Sequence, residues 1–128
     1  MLLLDTCAYL IATHQPSALP VGARRAVLAA NVRYWSPVGT WEIAVKSALG
    51  RLDFPEAAFA NLDIGLAALC TTPLPLTHAH ASRVSQLPPL HKDPFDRLLI
   101  AQALCEGLVV VTSDRTIAEY PGLRTIWD

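Results

Sequence analysis

The sequence predicts an α/β fold built on a mainly parallel, roughly five-stranded sheet with helices on both faces. Three observations carry this expectation. Short apolar runs alternate with helical stretches about five times along the chain. The helical stretches are punctuated by Thr77, Asp93-Pro94, Gly50 and Gly107 at positions where caps and stops belong. Hydrophobic residues make up 52% of the chain and charged ones 16%, a balance suited to a covered core.

In order, Leu2–Leu4 predicts a strand and Thr6–Thr13 a helix with Ala8, Ile11 and Ala12 on one side. Pro16–Pro20 is a turn, Gly22–Val32 a second helix, and Arg33–Ser36 a short strand ended by Pro37. From Gly39 to Leu49, Trp41, Val45 and Leu49 recur at i, i+4 and i+8, an apolar helical stripe expected to pack in the core. Gly50 follows where a C′ residue belongs. Pro55–Cys70 predicts one further helix with Pro55 as its first residue. Thr72–Leu76 is strand-like but carries Pro73 and Pro75, so it belongs at a sheet edge. Thr77 caps a helix over His78–Leu87, and a loop runs on to Lys92. Pro94–Glu106 is a helix closed by Gly107, and Leu108–Thr112 is the clearest buried strand. Arg115–Tyr120 is a short helix and Arg124–Trp127 a last strand.

A chain of 128 residues reads as one domain spanning residues 1–128. No apolar run approaches the roughly 18 residues that cross a bilayer. Without a basic n-region or cleavage site at the N-terminus, a cytoplasmic location and no membrane are expected. Cys7, Cys70 and Cys105 are odd in number and widely spaced, which argues for buried free thiols rather than disulfides or zinc. The formal net charge of −1 excludes a simple basic nucleic-acid binder. Any polyanion would be held by local cations or by bound metal.

Four acids stand where a strand ends or a helix begins: Asp5, Glu42, Asp96 and Asp114. An open parallel sheet binds ligands just outside the carboxyl ends of its strands, so these residues can meet at one edge. Each also has a local explanation. Asp5 and Asp114 precede helices as N-caps, and Asp93 precedes Pro94 in the same way. Asp96 at N3 suits the helix dipole, and Glu42 with Lys46 forms a favourable i, i+4 pair. Capping gives no reason, however, for the acids to fall at strand ends that adjoin one another. Packed carboxylates repel and take up protons unless a cation is present. An all-oxygen set with no His or Cys suits Mg²⁺ or Mn²⁺ rather than zinc. The chemistry implied is hydrolysis of a phosphodiester.

The blocks Leu3-Leu4-Asp5-Thr6, Trp41-Glu42-Ile43-Ala44-Val45-Lys46, Gly50-Arg51-Leu52, Asp93-Pro94-Phe95-Asp96-Arg97-Leu98-Leu99-Ile100-Ala101-Gln102-Ala103 and Val111-Thr112-Ser113-Asp114 carry a resemblance. The chain resembles the PIN-domain family, and closely the VapC-type toxin nucleases of toxin–antitoxin pairs. The resemblance runs nearly end to end and implies a three-layer α/β/α fold. It also implies a Mg²⁺- or Mn²⁺-dependent endoribonuclease acting as a toxin on RNA, with a cognate antitoxin as partner and a homodimer as assembly. It assigns the site to Asp5, Glu42, Asp96 and Asp114, with Asp93 beside it, and matches a family hydroxyl to Thr112 or Ser113. In this scheme Asp5, Asp96 and Asp114 hold the metal, and Glu42 places or deprotonates the attacking water.

Lys46 and Arg97 lie near the acids, either to touch phosphate or to balance charge. His91, just before the Asp-Pro block, is a further candidate near the site, whereas His78 and His80 sit at i and i+2 and do not share a helix face. Rival enzymes fail on residue type. Cys7 stands where a haloacid-dehalogenase-type phosphatase needs a second Asp, and the six scattered glycines offer no phosphate-binding loop. The alternative from another class is a non-catalytic PIN-like module that binds RNA or protein.

Overall fold

Five strands of three residues each pair in parallel: β1 (Leu2–Leu4), β2 (Arg33–Trp35), β3 (Thr71–Pro73), β4 (Val109–Val111) and β5 (Arg124–Ile126). In the computed structural model, which describes residues 1–54 and 57–128, they lie in the order β3-β2-β1-β4-β5. The described α-helices are α1 (Thr6–His14), α2 (Val21–Ala29), α3 (Pro37–Ala48), α4 (Ala57–Ala60), α5 (Leu62–Ala68), α6 (His78–Arg83), α7 (Pro94–Glu106) and α8 (Arg115–Ala118). The chain builds outward from β1 to β3, then returns to set β4 on the other side of β1. Leu2, Leu3 and Leu4 align with Val109, Val110 and Val111, so β1 and β4 end together. The crevice beyond those two ends is the switch point of the sheet, where such folds place ligands.

Side chains of a strand alternate between faces, and the two core clusters follow that period. Leu2, Leu4 and Val111 pack with Ala8, Tyr9 and Leu10 of α1, Ala23 and Val27 of α2, and Leu62 of α5. Leu3 and Val110 pack on the opposite face with Val38 of α3 and Leu99 and Ala103 of α7. Helices therefore cover both faces in a three-layer α/β/α arrangement, and β1 and β4 carry apolar residues at every position. Strand β3, with its proline, lies at an edge as expected.

Local signals set some helix ends. Helix α7 starts at Pro94 after the Asp93 cap and stops at Gly107, whose φ of 66° is the left-handed value a C-terminal stop requires. Elsewhere packing overrides pattern. Trp41 and Leu49 are 54% and 59% exposed, whereas Val38, Gly39, Glu42 and Ile43 of α3 face inward. The expected core stripe of α3 is thus its outer face. Gly39 explains the rotation, because a Cβ there would meet the Trp35 ring at 2.6 Å, so this side of the helix lies close against β2. Trp41 instead packs edge-on against Phe95, with ring centroids 4.8 Å apart.

The single helix expected over Pro55–Cys70 is two helices, α4 and α5, separated at Asn61. Its expected start at Pro55 lies outside the described residues. Cys70 follows α5 with φ at 52°. Helix α2 ends at Ala29, short of Val32, because Ala30 is already extended on the way to β2. Helix α6 ends at Arg83 and passes into a 3₁₀ turn over Val84–Gln86 before Leu87. Cys7, Cys70 and Cys105 are free but exposed, which corrects the expectation that they are buried. No described helix is long and apolar enough to cross a membrane.

Candidate active site

Asp5 leaves β1 and caps α1, its Oδ1 accepting from the Ala8 amide at 2.7 Å. Asp114 follows β4 and caps α8 through the Thr116 amide at 2.8 Å. Asp93 caps α7, accepting from the amides of Phe95 and Asp96 at 2.9 and 3.1 Å. The capping roles read from sequence are therefore real. They are also how the backbone aims these carboxylates, because α1, α7 and α8 all begin at the carboxyl edge of the sheet. Glu42 projects from the inner side of α3. Its Oε1 accepts from the buried Thr6 hydroxyl at 2.6 Å and its Oε2 pairs with Lys46 Nζ. Asp96, one helical turn into α7, faces the same space.

These acids lie within electrostatic reach of one another. Burial pushes the Asp96 carboxyl up to about 8, and Asp93, Glu42, Asp5 and Asp114 add repulsion in that order. Burial also raises Asp5, to about 6, against the stabilising Thr112 hydroxyl and Ala8 amide, with Glu42 and Asp114 repelling it further. Burial pulls the Lys46 ammonium down, but the hydrogen bond and charge of Glu42, with Asp93 and Asp96 behind it, hold it above its ordinary value. Partial burial of the Cys7 thiol, with the charges of Asp5 and Glu42 beside it, raises it and keeps it a poor nucleophile. A cluster that drives its own members toward protonation, with one ammonium bound to one carboxylate, is a fit host for a divalent cation. Asp5, Asp96, Asp114 and Glu42 supply hard oxygen donors for Mg²⁺ or Mn²⁺.

The auxiliary candidates divide. Thr112 is buried, turns its hydroxyl to Asp5 and accepts from the Asp114 amide at 3.0 Å. Ser113 is exposed, so of the two hydroxyls only that of Thr112 lies within the cluster. Lys46 stays at the site through Glu42. Arg97 is engaged on the other side of the loop. Its guanidinium donates to the Pro88 carbonyl at 2.9 Å and to the Tyr120 hydroxyl at 3.1 Å, pinning the loop before α7. His91 comes closer than an all-oxygen set allows for: its Nε2 lies 3.5 Å from Asp96 Oδ2. Candidate ligand atoms of His91, Asp96 and Asp114 lie within 4.8 Å of one another.

Sequence reasoning gave no role to Thr6, Arg51, Arg115 or Tyr120. Thr6 was within reach, being next to Asp5 in a strand-end motif. Arg51 joins Thr6, Cys7, Glu42 and Lys46 in lining a recess of about 120 Å³ on one flank. Arg115 joins Thr112, Ser113 and Asp114 in one of about 450 Å³ on the other. Tyr120 is separated from His91 by 29 residues, and nothing local signals their contact.

The PIN domain family model matches residues 2–123, and the chain belongs to that family. No curated protein sequence matches the chain. Among solved structures the fold is similar to VapBC2 from Rickettsia felis bound to a DNA fragment from their promoter. The TM-score is 0.74 at 17% identity, covering 99% of this chain and 98% of the other. It is also similar to DNA-bound VapBC from Salmonella typhimurium, with a TM-score of 0.69 at 20% identity, covering 98% and 96%. FitAcB from Neisseria gonorrhoeae gives a TM-score of 0.64 at 20% identity, again covering 98% and 96%.

Proposed function

We propose that the chain is a metal-dependent endoribonuclease, the toxin of a toxin–antitoxin pair, hydrolysing RNA phosphodiester bonds at a carboxylate site for Mg²⁺ or Mn²⁺. The observation that supports it is the gathering of Asp5, Glu42, Asp96 and Asp114 at the switch point, with Asp5 and Asp96 raised to about 6 and 8. In this reading Asp5, Asp96 and Asp114 hold the ion. The cation supplies Lewis acidity toward a phosphate oxygen and toward water. Glu42 has both oxygens steered, by Thr6 and Lys46, and would place or deprotonate the attacking water. Lys46, Arg51 and Arg115 meet the RNA backbone at the rim, the local cations a chain of net charge −1 needs.

The likeness to VapBC and FitAB assemblies supports a cognate antitoxin as partner. A cytoplasmic, homodimeric toxin belongs to the same reading and rests on the sequence resemblance alone. An antitoxin arginine would fit the acids bidentately. Purified protein should cleave RNA with Mg²⁺ or Mn²⁺ and stop in EDTA. Full-rate cleavage in excess chelator, or best activity with zinc, would sink the acidic mechanism. RNA binding without metal-dependent cleavage would leave the non-catalytic module as the answer. Expression alone should arrest growth and co-expression of an antitoxin encoded just upstream should relieve it. Harmless expression of active enzyme would remove the toxin role and leave the nuclease.

A further inference from the structure

Arg97, Tyr120 and His91 form a linear chain from the loop before α7 into the acidic site. A guanidinium can only donate, and Arg97 reaches the Tyr120 hydroxyl oxygen at 3.1 Å. Tyr120 is buried, and its oxygen lies 2.7 Å from His91 Nδ1. With Arg97 donating to that oxygen, the hydroxyl hydrogen has one acceptor in reach among the described residues, His91 Nδ1. A neutral imidazole carries one donor and one acceptor, so the ring proton is placed on Nε2. That atom is buried, has no hydrogen-bond partner, and sits 3.5 Å from Asp96 Oδ2. A bare nitrogen here would be a metal ligand, whereas an N–H is a donor to the carboxylate. Distance alone fits both roles, and the polarity of the chain separates them.

We propose that His91 is a positioning residue: the Arg97–Tyr120–His91 chain presents an Nε2–H to Asp96 Oδ2 and fixes the orientation of that carboxylate. The inference rests on the acidic-site function proposed above, which gives Asp96 its task. The gap is slightly longer than the usual range of about 2.7–3.2 Å, and a small rotation of either side chain closes it. Partners of this outer kind commonly change metal affinity or activity by about 10–100-fold.

Three readouts on folded protein test it: side-chain ¹⁵N–¹H spectra of the histidines in EDTA at pH 8.5, Mn²⁺ titration, and RNA cleavage kinetics. His91 should show the Nε2–H tautomer in wild type and a mixture in Tyr120→Phe, which removes only the hydroxyl. Mn²⁺ affinity should fall about tenfold or more in His91→Ala. It should return largely in His91→Gln, whose amide N–H reaches toward the same carboxylate. The kcat should fall in His91→Ala and Tyr120→Phe with KM for RNA unchanged. An Nδ1–H tautomer, or a loss in His91→Ala confined to zinc, would make His91 a ligand and overturn the proposal. Wild-type Mn²⁺ affinity and kcat in both variants would overturn it too, leaving the chain a packing feature. Wild-type protein that neither binds Mn²⁺ nor cleaves RNA would fail the acidic-site function first. The positioning role falls with it, and that outcome shows before any variant is made.

Discussion

Two histidines sit beside carboxylates at opposite ends of α7, in contrasting states. His80 is fully buried: its Nδ1 accepts from the Thr77 amide at 3.1 Å, and its Nε2 lies 2.8 Å from Glu106 at the C-terminal end of the helix. Both ring nitrogens are paired, and the ring ties α6 to α7. His91 is paired at Nδ1 by Tyr120 but open at Nε2, facing Asp96 at the N-terminal end. The difference lies in the carboxylates. Glu106 is half exposed and solvated, whereas Asp96 is pressed among Asp93, Glu42, Asp5 and Asp114. A closed histidine–carboxylate pair stabilises a helix junction; an open one borders a site whose own charges are unsatisfied.

The largest contrast should come from neutralising the two carboxylates. Asp96→Asn should reduce RNA cleavage by more than about a hundredfold, beyond the loss typical of an outer partner. In EDTA at pH 8.5, above the value near 8 through which the carboxyl ionises, it should melt at or above wild type, because it removes a charge that four acids repel. A cap-and-dipole role alone expects the opposite, lower melting with cleavage intact. Glu106→Gln should leave cleavage unchanged and cost a few tenths of a kcal/mol, as a half-exposed pair does. Cleavage and melting curves on the two variants decide.

Metal-free stability should depend on pH through the acids of the site. Asp96 and Asp5 titrate higher folded than unfolded, so the native state binds more protons. Their contribution is fully present below the unfolded value near 4. It is lost as pH rises through about 6 for Asp5 and about 8 for Asp96. In EDTA the melting temperature should therefore fall by several degrees between pH 5 and 8.5, and less in Asp96→Asn. Mg²⁺ should offset the fall increasingly toward high pH, since binding releases those protons. A flat EDTA profile for wild type would show that the acids do not crowd one another.

The closed pair makes the reverse prediction. His80→Ala removes the ring that bonds Thr77 and Glu106, and should cost about 1–3 kcal/mol of stability with RNA cleavage unchanged. Asp93→Ala should cost less, about 1 kcal/mol for a lost N-cap. It should also bring the Asp96 carboxyl down, because Asp93 is its largest source of repulsion. A carboxyl-labelled NMR titration of Asp96 in that variant would check the shift.

What the sequence determined by itself is what short-range chemistry controls. Asp93-Pro94 and Gly107 mark the ends of α7 because a cap, a proline and a left-handed glycine each act within one turn. The apolar runs at Leu2–Leu4 and Val109–Val111 declare strands covered on both faces, and a parallel sheet then brings Asp5 and Asp114 to one edge. The tertiary structure alone decided which side of α3 faces inward. A stripe of Trp41, Val45 and Leu49 is the more apolar side, yet Glu42 is buried because Thr6 and Lys46, from two elements, satisfy its two oxygens. It decided likewise that Arg97 reaches the loop and Tyr120, and that His91 joins the acids. Those contacts pair groups 23 and 29 residues apart at Tyr120, and no local pattern encodes a hydrogen bond whose two ends meet only after the sheet has formed.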